Sequence, residues 1–358
     1  MVEYVHIQDN VKETVFVGIK SEPVNIGDLE AYLGDLAITQ GYKINSTELK
    51  KNKKIAVVGS GPSGLTCAAF LAKNGYDVTI YEKHDKLGGL LVHGIPEFKL
   101  SKDVVQNTIN RILDLGIKYE LNKELSKNIS LNELQEKYDA VFLGFGANKS
   151  SSMGIEGENL EGVYGGNELL EYQNHPDYRG KIVSVIGGGN VAMDSARTIK
   201  RLGAKEVKII YRRAEAQMPA DAKEIQDAKS DGIDFLFQNN IVRIIGQDRV
   251  EKLECIKTEL IKKEGETREY PVNIEGSNYI IDMDIVVMAL GSEPDSFVKN
   301  LGVDLNKWNQ IQINENNMTS LEGVFAGGDI AGCKSTVAWA ARSGRDAAYS
   351  IMKYLECK

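Results

Sequence analysis

The residues Val57-Val58-Gly59-Ser60-Gly61-Pro62-Ser63-Gly64 place the pattern G-x-G-x-x-G directly after a run of strand-forming residues. Each glycine has a physical role in such a turn. Gly59 allows the tight turn itself, Gly61 lets the backbone approach a pyrophosphate, and Gly64 lets a helix pack closely on the strand. The N-terminus of the following helix favours anionic phosphates. This stretch therefore predicts the phosphate-binding turn of a dinucleotide-binding βαβ unit.

The residues after this turn complete the βαβ pattern. Apolar positions at helical spacing follow from Leu65 to Ala72, Gly75 ends the predicted helix, and a second predicted strand ends at Tyr81-Glu82. Glu82 lies about 20 residues beyond the glycines, where a carboxylate accepts hydrogen bonds from a ribose. Its charge also disfavours a 2′-phosphate. A glycine triplet alone is weak evidence, but the ordered strand, turn, helix, strand and carboxylate predict a nucleotide site.

A second turn of this kind follows the predicted strand Ile182–Ile186, in the residues Gly187-Gly188-Gly189-Asn190-Val191-Ala192. This is G-x-G-x-x-A, the accepted variant of the same pattern. The predicted helix Val191–Leu202 and a further strand lead to Arg212 and Arg213 at the ribose position. Guanidinium groups bind phosphate in a bidentate manner and stay charged, so they favour NADPH, which carries a 2′-phosphate. The alternative is an exposed pair of arginines at a strand end.

Opposite charges at the two ribose positions indicate two different nucleotides. FAD, whose adenosine ribose is not phosphorylated, suits Glu82, whereas NADPH suits Arg212 and Arg213. We therefore predict a flavin- and NADPH-binding oxidoreductase in which hydride passes from NADPH to FAD. Hydride transfer between stacked rings requires no acid or base from the protein, so no catalytic residue is assigned.

Short apolar runs alternate with helical patterns from Ile55 onwards. Such runs suit parallel strands covered on both faces, and their alternation with helices predicts a doubly wound α/β fold with two Rossmann-like domains. Between Ile233 and Ile281 the pattern changes, and we interpret this part as an antiparallel β-meander that forms an accessory layer. The predicted parallel strands are Ile55–Val58, Asp77–Tyr81, Ala140–Leu143, Ile182–Ile186, Val207–Tyr211 and Ile285–Leu290, and the antiparallel ones are Phe235–Phe237, Val250–Thr258 and Arg268–Val272.

The composition argues against several classes of protein. A formal net charge of −8 disfavours nucleic-acid binding, which requires a basic surface. No apolar run reaches membrane-spanning length and the N-terminus has no signal-peptide character, so we expect a cytoplasmic protein without a membrane partner. No Cys-x-x-Cys occurs, so neither a local metal site nor a redox dithiol is predicted. The cysteines are Cys67, Cys255, Cys333 and Cys357.

Near the C-terminus, Val324-Phe325-Ala326-Gly327-Gly328-Asp329-Ile330 resembles the second FAD motif of the flavoprotein reductases with two dinucleotide-binding domains. The resemblance implies that Asp329 contacts the ribityl or pyrophosphate region of FAD. It also implies that the next helix, at Thr336 and Val337, points its N-terminus at the isoalloxazine. Ala289-Leu290-Gly291-Ser292-Glu293-Pro294 resembles the hinge where the chain of these reductases returns to the FAD domain.

Four further motifs resemble the small (beta) subunit of NADPH-dependent glutamate synthase and the related modules of ferredoxin:NADP oxidoreductase and dihydropyrimidine dehydrogenase. The resemblance covers about Glu22 to the end of the chain. It implies onward electron transfer, with a larger synthase-type subunit or a small electron-carrier protein as partner. The motifs are Gly88-Gly89-Leu90, His93-Gly94-Ile95-Pro96-Glu97-Phe98-Lys99-Leu100, Tyr211-Arg212-Arg213 and Met218-Pro219-Ala220.

The chain departs from this family in its N-terminal segment. The family's N-terminal domain binds two iron–sulfur clusters through cysteines. Residues 18–27 resemble the last piece of that domain, and the paired cysteines just before it would fall near Val11 and Val15. Valine cannot ligate iron. We therefore expect these clusters to be missing, so the route of electrons beyond the flavin is not given by the resemblance.

These observations predict a division into domains. Residues 1–50 are a remnant of a helical N-terminal segment, 51–166 and 290–358 form the FAD-binding domain, and 167–289 form an inserted NADPH-binding domain. In the first segment a helix is expected to begin near Pro23–Asn25 and to run through Asp28–Ile38. Its apolar face consists of Leu29, Tyr32, Leu33 and Leu36.

The motifs and the resemblance define two candidate sites. The residues expected to bind FAD are Gly59, Gly61, Pro62, Ser63, Gly64, Glu82, Lys83, Gly89, Leu90, Gly146, Gly328, Asp329, Thr336 and Val337. Those expected to bind NADPH are Gly187, Gly189, Asn190, Val191, Ala192, Arg212, Arg213 and Gly291. Further candidates, for which surface or structural roles are equally open, are His93, Glu97 and Lys99 near the flavin and Asp194 and Arg197 near the second turn.

Other functions are compatible with parts of this pattern. A thioredoxin-reductase-like enzyme is disfavoured by the missing Cys-x-x-Cys, although reduction of ferredoxin or flavodoxin stays open. A non-enzymatic subunit that binds nucleotides structurally, or senses redox state, would be favoured by a purified protein that stays colourless after FAD is added. A flavoprotein monooxygenase would show uncoupled peroxide production in the presence of its substrate.

Overall fold

The computed structural model describes residues 25–262, 265 and 269–358. They form two compact units. The first consists of the described residues up to Ala147 together with Pro294–Lys358, and the second of Asn148–Glu293. The positions Val11 and Val15, which stand in place of iron–sulfur cysteines, lie outside the described residues, as does Arg268.

The first unit contains a sheet of five parallel strands. These are β1 (Lys54–Val58), β2 (Asp77–Tyr81), β3 (Lys118–Glu120), β4 (Ala140–Leu143) and β16 (Val324–Ala326), in the order β16-β4-β1-β2-β3. Side chains alternate between the two faces of a strand. Along β1, Ile55 and Val57 therefore enter one hydrophobic core and Ala56 and Val58 enter another. Burial on both faces explains why the strand is a continuous apolar run.

The helices of this unit are α1 (Ile26–Thr39), α2 (Pro62–Lys73), α3 (Leu90–His93), α4 (Lys102–Leu113), α5 (Leu131–Lys137) and α9 (Val337–Glu356). All of them except α1 supply side chains to these two cores. On one face of the sheet, α2 buries Leu65 and Leu71 in the same cluster as Ile351 of α9. On the other face, α5 buries Leu131 and Leu134.

The second unit repeats this design. Its parallel strands are β6 (Val163–Gly165), β7 (Ile182–Ile186), β8 (Glu206–Tyr211), β9 (Asp234–Phe237) and β14 (Ile285–Met288), in the order β6-β14-β7-β8-β9. Its helices are α6 (Gly166–Tyr172), α7 (Asn190–Arg201) and α8 (Ala222–Ser230). The predicted doubly wound α/β class is confirmed.

Strand β9 corrects one prediction. The run Phe235–Phe237 was expected to be antiparallel, but β9 pairs with β8 in parallel, at the edge of the sheet. Helix α8 lies between these two strands in the chain and makes the crossover that parallel pairing requires. The run resembled a meander strand because an edge strand is only partly buried.

The antiparallel layer begins after β9. It consists of β10 (Asn239–Ile245), β11 (Lys252–Lys262), β12 (Glu269–Asn273) and β13 (Tyr279–Asp282), and both β10 and β13 pair with β11. The layer precedes β14 in the chain. An antiparallel accessory layer was therefore predicted correctly, but its first strand is β10 and not Phe235–Phe237, and β13 pairs with β11 and not with β12.

The two ends of the second unit meet. Strand β5 (Lys149–Ser150) pairs antiparallel with β15 (Ser292–Glu293). The break after Ala147 lies earlier than the boundary expected between 166 and 167, because β6 pairs with β14 and so belongs to the second sheet.

Helix α1 lies in the segment where a helix was expected. It begins after Asn25, whose side chain accepts a hydrogen bond from the N–H of Asp28. The apolar residues Leu29, Tyr32 and Leu33 are each more than half exposed, and Ala31 is the buried residue of this helix. Among residues 25–262 and 269–358, none of the helices combines the length and the apolarity that a membrane crossing needs.

Candidate functional site

The first glycine turn lies between β1 and α2. Gly59 has a φ of +93°, and a Cβ on it would lie 2.6 Å from the Cα of Phe145, which follows β4. A Cβ on Gly64 would lie 1.9 Å from the carbonyl oxygen of Gly59, so only glycine lets α2 start this close to the strand. At Gly61 no atom of the described residues lies within 4 Å of the Cβ position. The middle of the turn is thus open, at the edge where doubly wound sheets bind ligands.

Helix α2 begins at this opening with Pro62 and Ser63. Within the described part of the chain, no side chain caps its N-terminus. The free N–H groups of its first turn can therefore bind an anion, which the helix dipole also favours.

Glu82 follows β2 beside the same turn and is only 3% exposed. One carboxylate oxygen accepts hydrogen bonds from the hydroxyl and the N–H of Ser60, the latter at 2.9 Å, and the other accepts from the N–H of His84 at 2.9 Å. A carboxylate can accept about four hydrogen bonds, so one position remains. The Ser60 hydroxyl also accepts from the N–H of Gly88 at 2.9 Å. Sequence reasoning missed Ser60, because it occupies a variable position of the motif. The adjacent Lys83 is partly buried.

Gly89 lies against the first turn, and Leu90 follows it as the first residue of α3. A Cβ on Gly89, which precedes α3, would lie 2.8 Å from the Cα of Gly61. Gly146 follows Phe145, the residue that contacts Gly59. These residues of the predicted FAD set are therefore brought to one turn, although the chain separates them widely.

The segment after β16 closes on α2. A Cβ on Gly328 would lie 3.1 Å from the Cβ of Ser63, and the Gly328 N–H donates to the hydroxyl of Ser343 at 2.7 Å. A Cβ on Gly344 would lie 2.1 Å from the carbonyl oxygen of Ser63, so α9 crosses α2 with the backbones in contact. Ser343 and Gly344 were not predicted, because no local pattern reveals which distant segment a helix will contact.

Asp329 directly follows Gly328 in the segment that contacts α2, and one of its carboxylate oxygens is buried. Its Oδ1 has no hydrogen-bond partner among the described residues. Burial raises the pKa of its carboxyl group to about 6. Thr336 caps α9 by accepting from the N–H of Trp339 at 3.3 Å, and Val337 is the first residue of that helix. The Asp329 oxygen is thus available to a polar group of a ligand.

His93, Glu97 and Lys99 were the further candidates near the flavin, and the contacts of His93 and Glu97 are with residues close to them in the chain. The ring of His93 stacks on that of His84 with centroids 4.1 Å apart, and burial, followed by the charge of His84, lowers the pKa of His93. Glu97 accepts from a backbone N–H at the start of α4 at 3.2 Å, and Lys99 is partly buried. His93 is linked to the first turn through His84, whose N–H donates to Glu82.

The second glycine turn lies between β7 and α7. Gly187 has a φ of +143°, and a Cβ on it would lie 2.1 Å from the carbonyl oxygen of Ala289, just after β14. Gly187 thus repeats the arrangement of Gly59, in which the first glycine packs against the chain leaving the neighbouring parallel strand. At Gly189 the nearest described atom to a Cβ would be Cγ of Pro219 at 3.9 Å, so this turn is also open.

The start of α7 contacts the loop that follows β8. Asn190 is its first residue, followed by the partly buried Val191 and the buried Ala192. The N–H of Ala220 donates to the carbonyl oxygen of Gly188 at 3.1 Å. The Met-Pro-Ala motif therefore lies beside the second glycine turn.

Arg212 and Arg213 follow β8 as Glu82 follows β2. Their carbonyl oxygens are held by the Thr258 hydroxyl at 2.8 Å and the Gln238 N–H at 3.0 Å, respectively. In the part of the chain that the structure describes, neither guanidinium forms an ion pair, and the buried Nε of Arg213 has no hydrogen-bond partner. The backbone is thus fixed while both cationic groups are available to an anion.

Arg197 has neither of the two roles considered for it. Its buried guanidinium contacts carboxylates of Glu224, Asp227 and Asp231 at 3.0, 3.2 and 2.8 Å, which ties α7 to α8. A buried charge requires such partners. Asp194 is buried beyond the first turn of α7, so it does not complement the helix dipole as considered.

Gly291 lies two residues beyond Ala289, which contacts the second turn. It is exposed, with a φ of +138°, and its carbonyl oxygen accepts from the N–H of Ser151 at 3.1 Å. Gly291 is therefore close in sequence to the residue that contacts the second glycine turn, and it directly precedes β15.

The cysteines form no dithiol. All four are free, and burial raises the pKa of Cys67 and of Cys255, the latter to about 11. Cys333 is partly exposed and Cys357 is exposed. No group of three or more His, Cys, Asp or Glu residues within the described ranges could hold a metal ion.

Known proteins are similar to this chain in sequence and in fold. The profile of the pyridine nucleotide-disulphide oxidoreductase family matches residues 21–127 and 53–347. The chain is 36% identical to the glutamate synthase (NADPH) small chain of Halomonas elongata over 93% of this chain and 75% of that protein. It is 38% identical to the NADP(+)-dependent formate dehydrogenase subunit beta of Moorella thermoacetica, over 87% of this chain and 45% of that one. Mycobacterium tuberculosis FprA in complex with NADPH has the same fold, with a TM-score of 0.76 at 20% identity and 85% coverage of each chain.

These matches agree with the interpretation of the two glycine turns as nucleotide-binding turns. The suspected relationship to the glutamate synthase small subunit is confirmed, as is the prediction of an oxidoreductase that binds FAD and NADPH. The profile covers both parallel sheets and the segment after β16 that closes on α2. The chain belongs to the pyridine nucleotide-disulphide oxidoreductase family.

Proposed function

We propose that the first unit holds FAD, that the second holds NADPH, and that electrons pass from the flavin to a separate acceptor protein. One observation carries this assignment. The two parallel sheets have the same design, but at the ribose position one has the buried carboxylate of Glu82 and the other has the unpaired guanidinium groups of Arg212 and Arg213.

The first unit fits FAD. The open position at Gly61 leaves room for a pyrophosphate against the uncapped N-terminus of α2. Glu82 keeps a free acceptor position for a ribose hydroxyl and repels a 2′-phosphate. Asp329 has a buried oxygen that a ligand hydroxyl would satisfy. FAD, when bound, supplies the ring that accepts hydride, and these residues bind and orient it.

The second unit fits NADPH. The turn is open at Gly189, where a pyrophosphate would meet the N-terminus of α7. The Nε of Arg213 requires an acceptor, and a 2′-phosphate would provide one together with a partner for Arg212. NADH lacks this phosphate, so it would leave Arg213 unsatisfied.

The acceptor is proposed to be another protein. The relatives are named as subunits or small chains, and this chain spans three quarters of the Halomonas protein and less than half of the Moorella protein. A dithiol that could receive electrons within the chain is not found among the described residues, where Cys67 and Cys255 are buried. A larger synthase-type subunit or a small electron carrier fits this role.

A spectrum and an anaerobic titration test the proposal. The purified protein, supplied with FAD, is expected to show bound flavin by its visible absorption. NADPH is expected to bleach this absorption at least 10-fold faster than NADH, and to support reduction of ferricyanide, which needs no docking site. Equal rates with both nucleotides would contradict the assignment of Arg212 and Arg213. A protein that stays colourless with FAD would instead indicate a non-flavin role.

A further inference from the structure

Both tryptophans of the chain are exposed in the first unit. Trp308 is 61% exposed and Trp339 is 38% exposed. An ammonium group lies over each ring, that of Lys307 at 4.3 Å from the Trp308 centroid and that of Lys334 at 4.7 Å from the Trp339 centroid. Large exposed aromatic side chains are typical of protein interfaces, where tryptophan and arginine contribute most of the binding energy.

The two tryptophans belong to neighbouring segments. The N–H of Ile311 donates to the carbonyl oxygen of Ile330 at 2.8 Å, and a Cβ on Gly332 would lie 2.8 Å from Oε1 of Gln310. The loop with Trp308 therefore lies against the residues that lead into α9. We call residues 305–314 and 330–345 together the Trp308–Trp339 patch.

The patch is cationic in an acidic chain. Residues 305–314 and 330–345 contain Lys307, Lys334, Arg342 and Arg345, and the acidic residues nearest in the chain are Asp304, Glu315, Asp329 and Asp346, directly outside these bounds; the whole chain has a net charge of −8. Arg342 and Arg345 contact Asp346 just beyond the patch, and the Arg342 guanidinium also lies 4.9 Å from the Trp339 centroid. In the described structure neither Lys307 nor Lys334 has an ion-pair partner.

The loop that carries Trp308 is ordered before any partner binds. Asn306 Oδ1 accepts from the N–H of Trp308 at 2.9 Å and from that of Gln310 at 3.1 Å, and the N–H of Asn306 donates to the carbonyl oxygen of Gln310 at 2.8 Å. Because the backbone at Trp308 is held in this way, the loop loses less backbone entropy when a partner buries the indole, and this favours binding.

The patch borders the candidate flavin site. The backbone N–H of Trp339 donates to the hydroxyl of Thr336, and Lys334 lies between Asp329 and Thr336 in the chain. Because electron transfer slows steeply with distance, an acceptor protein must dock near the flavin.

We propose that the Trp308–Trp339 patch is the docking surface for an acidic face of the protein that accepts electrons from the flavin. This proposal rests on the proposed function, since it names the partner of the same site. Cations steer an acidic protein to the patch, and the tryptophans are buried in the complex.

The test uses the full chain with FAD and a [2Fe–2S] ferredoxin that is acidic and lacks tryptophan. In the variant with Lys307→Glu and Lys334→Glu, kcat/KM for this ferredoxin is expected to fall roughly 10- to 100-fold at low salt, because steering is lost. Its ferricyanide reduction is expected to stay unchanged. The matched control carries Lys252→Glu and Lys257→Glu, which change the net charge equally on exposed positions of β11. Trp308→Ala is expected to raise KM for ferredoxin without altering its salt dependence.

Two outcomes would overturn the docking surface while leaving the proposed function intact. One is equal loss of ferredoxin reduction in the patch variant and the control. The other is a native protein that reduces basic cytochrome c as fast as ferredoxin, with no effect of salt on either.

Binding is measured separately from turnover. Both tryptophans lie in the patch, so all indole fluorescence of the chain reports on it. Ferredoxin is expected to change this emission in the native protein and in the β11 control but not in the patch variant. The change in fluorescence does not depend on turnover. A protein that shows this change but does not reduce ferricyanide would contradict the proposed function and leave the docking surface supported. A native dimer that dissociates in the patch variant, seen by light scattering, would assign the patch to a second copy and overturn the proposal.

Discussion

At single residues, the structure shows how charge at one strand end selects between nucleotides. Glu82 directly follows β2, and Arg212 and Arg213 are the first two residues after β8. Glu82 is held by Ser60 and His84, whereas the buried Nε of Arg213 has no partner among the described residues. A preorganised carboxylate rejects an added phosphate, and an unsatisfied guanidinium requires one. Selectivity is therefore expected to lie in these side chains and not in the glycine turns, which both units share.

The arginines should determine the preference for NADPH over NADH. In the variant with Arg212→Ala and Arg213→Ala, KM for NADPH is expected to rise about 10- to 100-fold, since each charged hydrogen bond contributes about 1.5–3 kcal/mol. KM for NADH should change little. Steady-state ferricyanide reduction measures both. The control is Arg243→Ala, which removes an exposed arginine on β10 that pairs with Glu254. A parallel rise of both KM values would show that the arginines do not contact the 2′-phosphate.

Asp329 should make the flavin-free protein less stable as the pH rises. Burial raises the pKa of this carboxyl group from its usual 3.8 to about 6. The folded state therefore holds a proton that the unfolded state has lost, and stability falls between about pH 4 and pH 6, by on the order of 2 kcal/mol, and stays lower above. Asp329→Asn is expected to be more stable than the native protein at pH 8 and similar to it at pH 4. Urea unfolding of the flavin-free proteins measures the difference.

The matched control for Asp329 is Asp304→Asn, because Asp304 is an exposed carboxyl group in the same unit. This variant should follow the native pH dependence. If Asp329→Asn follows it too, the Asp329 carboxyl group is not buried in solution.

Among the elements, the crossing of α2 and α9 decides whether the two parts of the first unit form one site. These helices are far apart in the chain, yet the Cβ position of Gly344 lies 2.1 Å from the carbonyl oxygen of Ser63. The crossing brings Gly328 and Asp329 to the first glycine turn. Small residues at such crossings let two backbones approach closely, because there is no space for a side chain.

A methyl group at Gly344 should therefore disturb both stability and flavin binding. Gly344→Ala is expected to lower the free energy of unfolding by about 1–3 kcal/mol, as overpacking does, and to reduce the fraction of protein that retains FAD. Denaturant unfolding and the visible spectrum measure the two effects. The control is Gly34→Ala in α1, where no described atom lies within 4 Å of the Cβ position, and it should gain about 0.4–1 kcal/mol. A neutral Gly344→Ala would mean that α2 and α9 are not in backbone contact.

For the whole molecule, the second unit is expected to fold on its own. It has its own cores, and its two ends are joined by the pairing of β5 with β15. Domains with separate cores and adjacent termini usually tolerate excision. A fragment of residues 148–293 is expected to unfold cooperatively by circular dichroism and to bind 2′,5′-ADP at least 10-fold more tightly than 5′-AMP. The same fragment with Arg212→Ala and Arg213→Ala should lose this preference. An unfolded fragment would show that the unit depends on the rest of the chain.

The sequence by itself determined the parts of this protein that depend on neighbouring residues. A glycine turn after a strand, and the charge of the residue at the next strand end, act within one βαβ unit, so local sequence is enough to locate both turns, Glu82, Arg212 and Arg213. The parallel strands β1, β2, β4, β7, β8 and β14 could be located because burial on both faces leaves an apolar run, whereas β3, β6 and β16, which are three residues long, were not predicted. Tertiary structure alone decided the direction of β9, the pairing of Arg197 with three carboxylates, and the contact of Ser343 and Gly344 with Ser63. It also decided the contact of the Trp308 loop with residues 330–332. The physical reason is that each of these is a contact between segments distant in the chain, and no local propensity specifies which distant segment will be the partner.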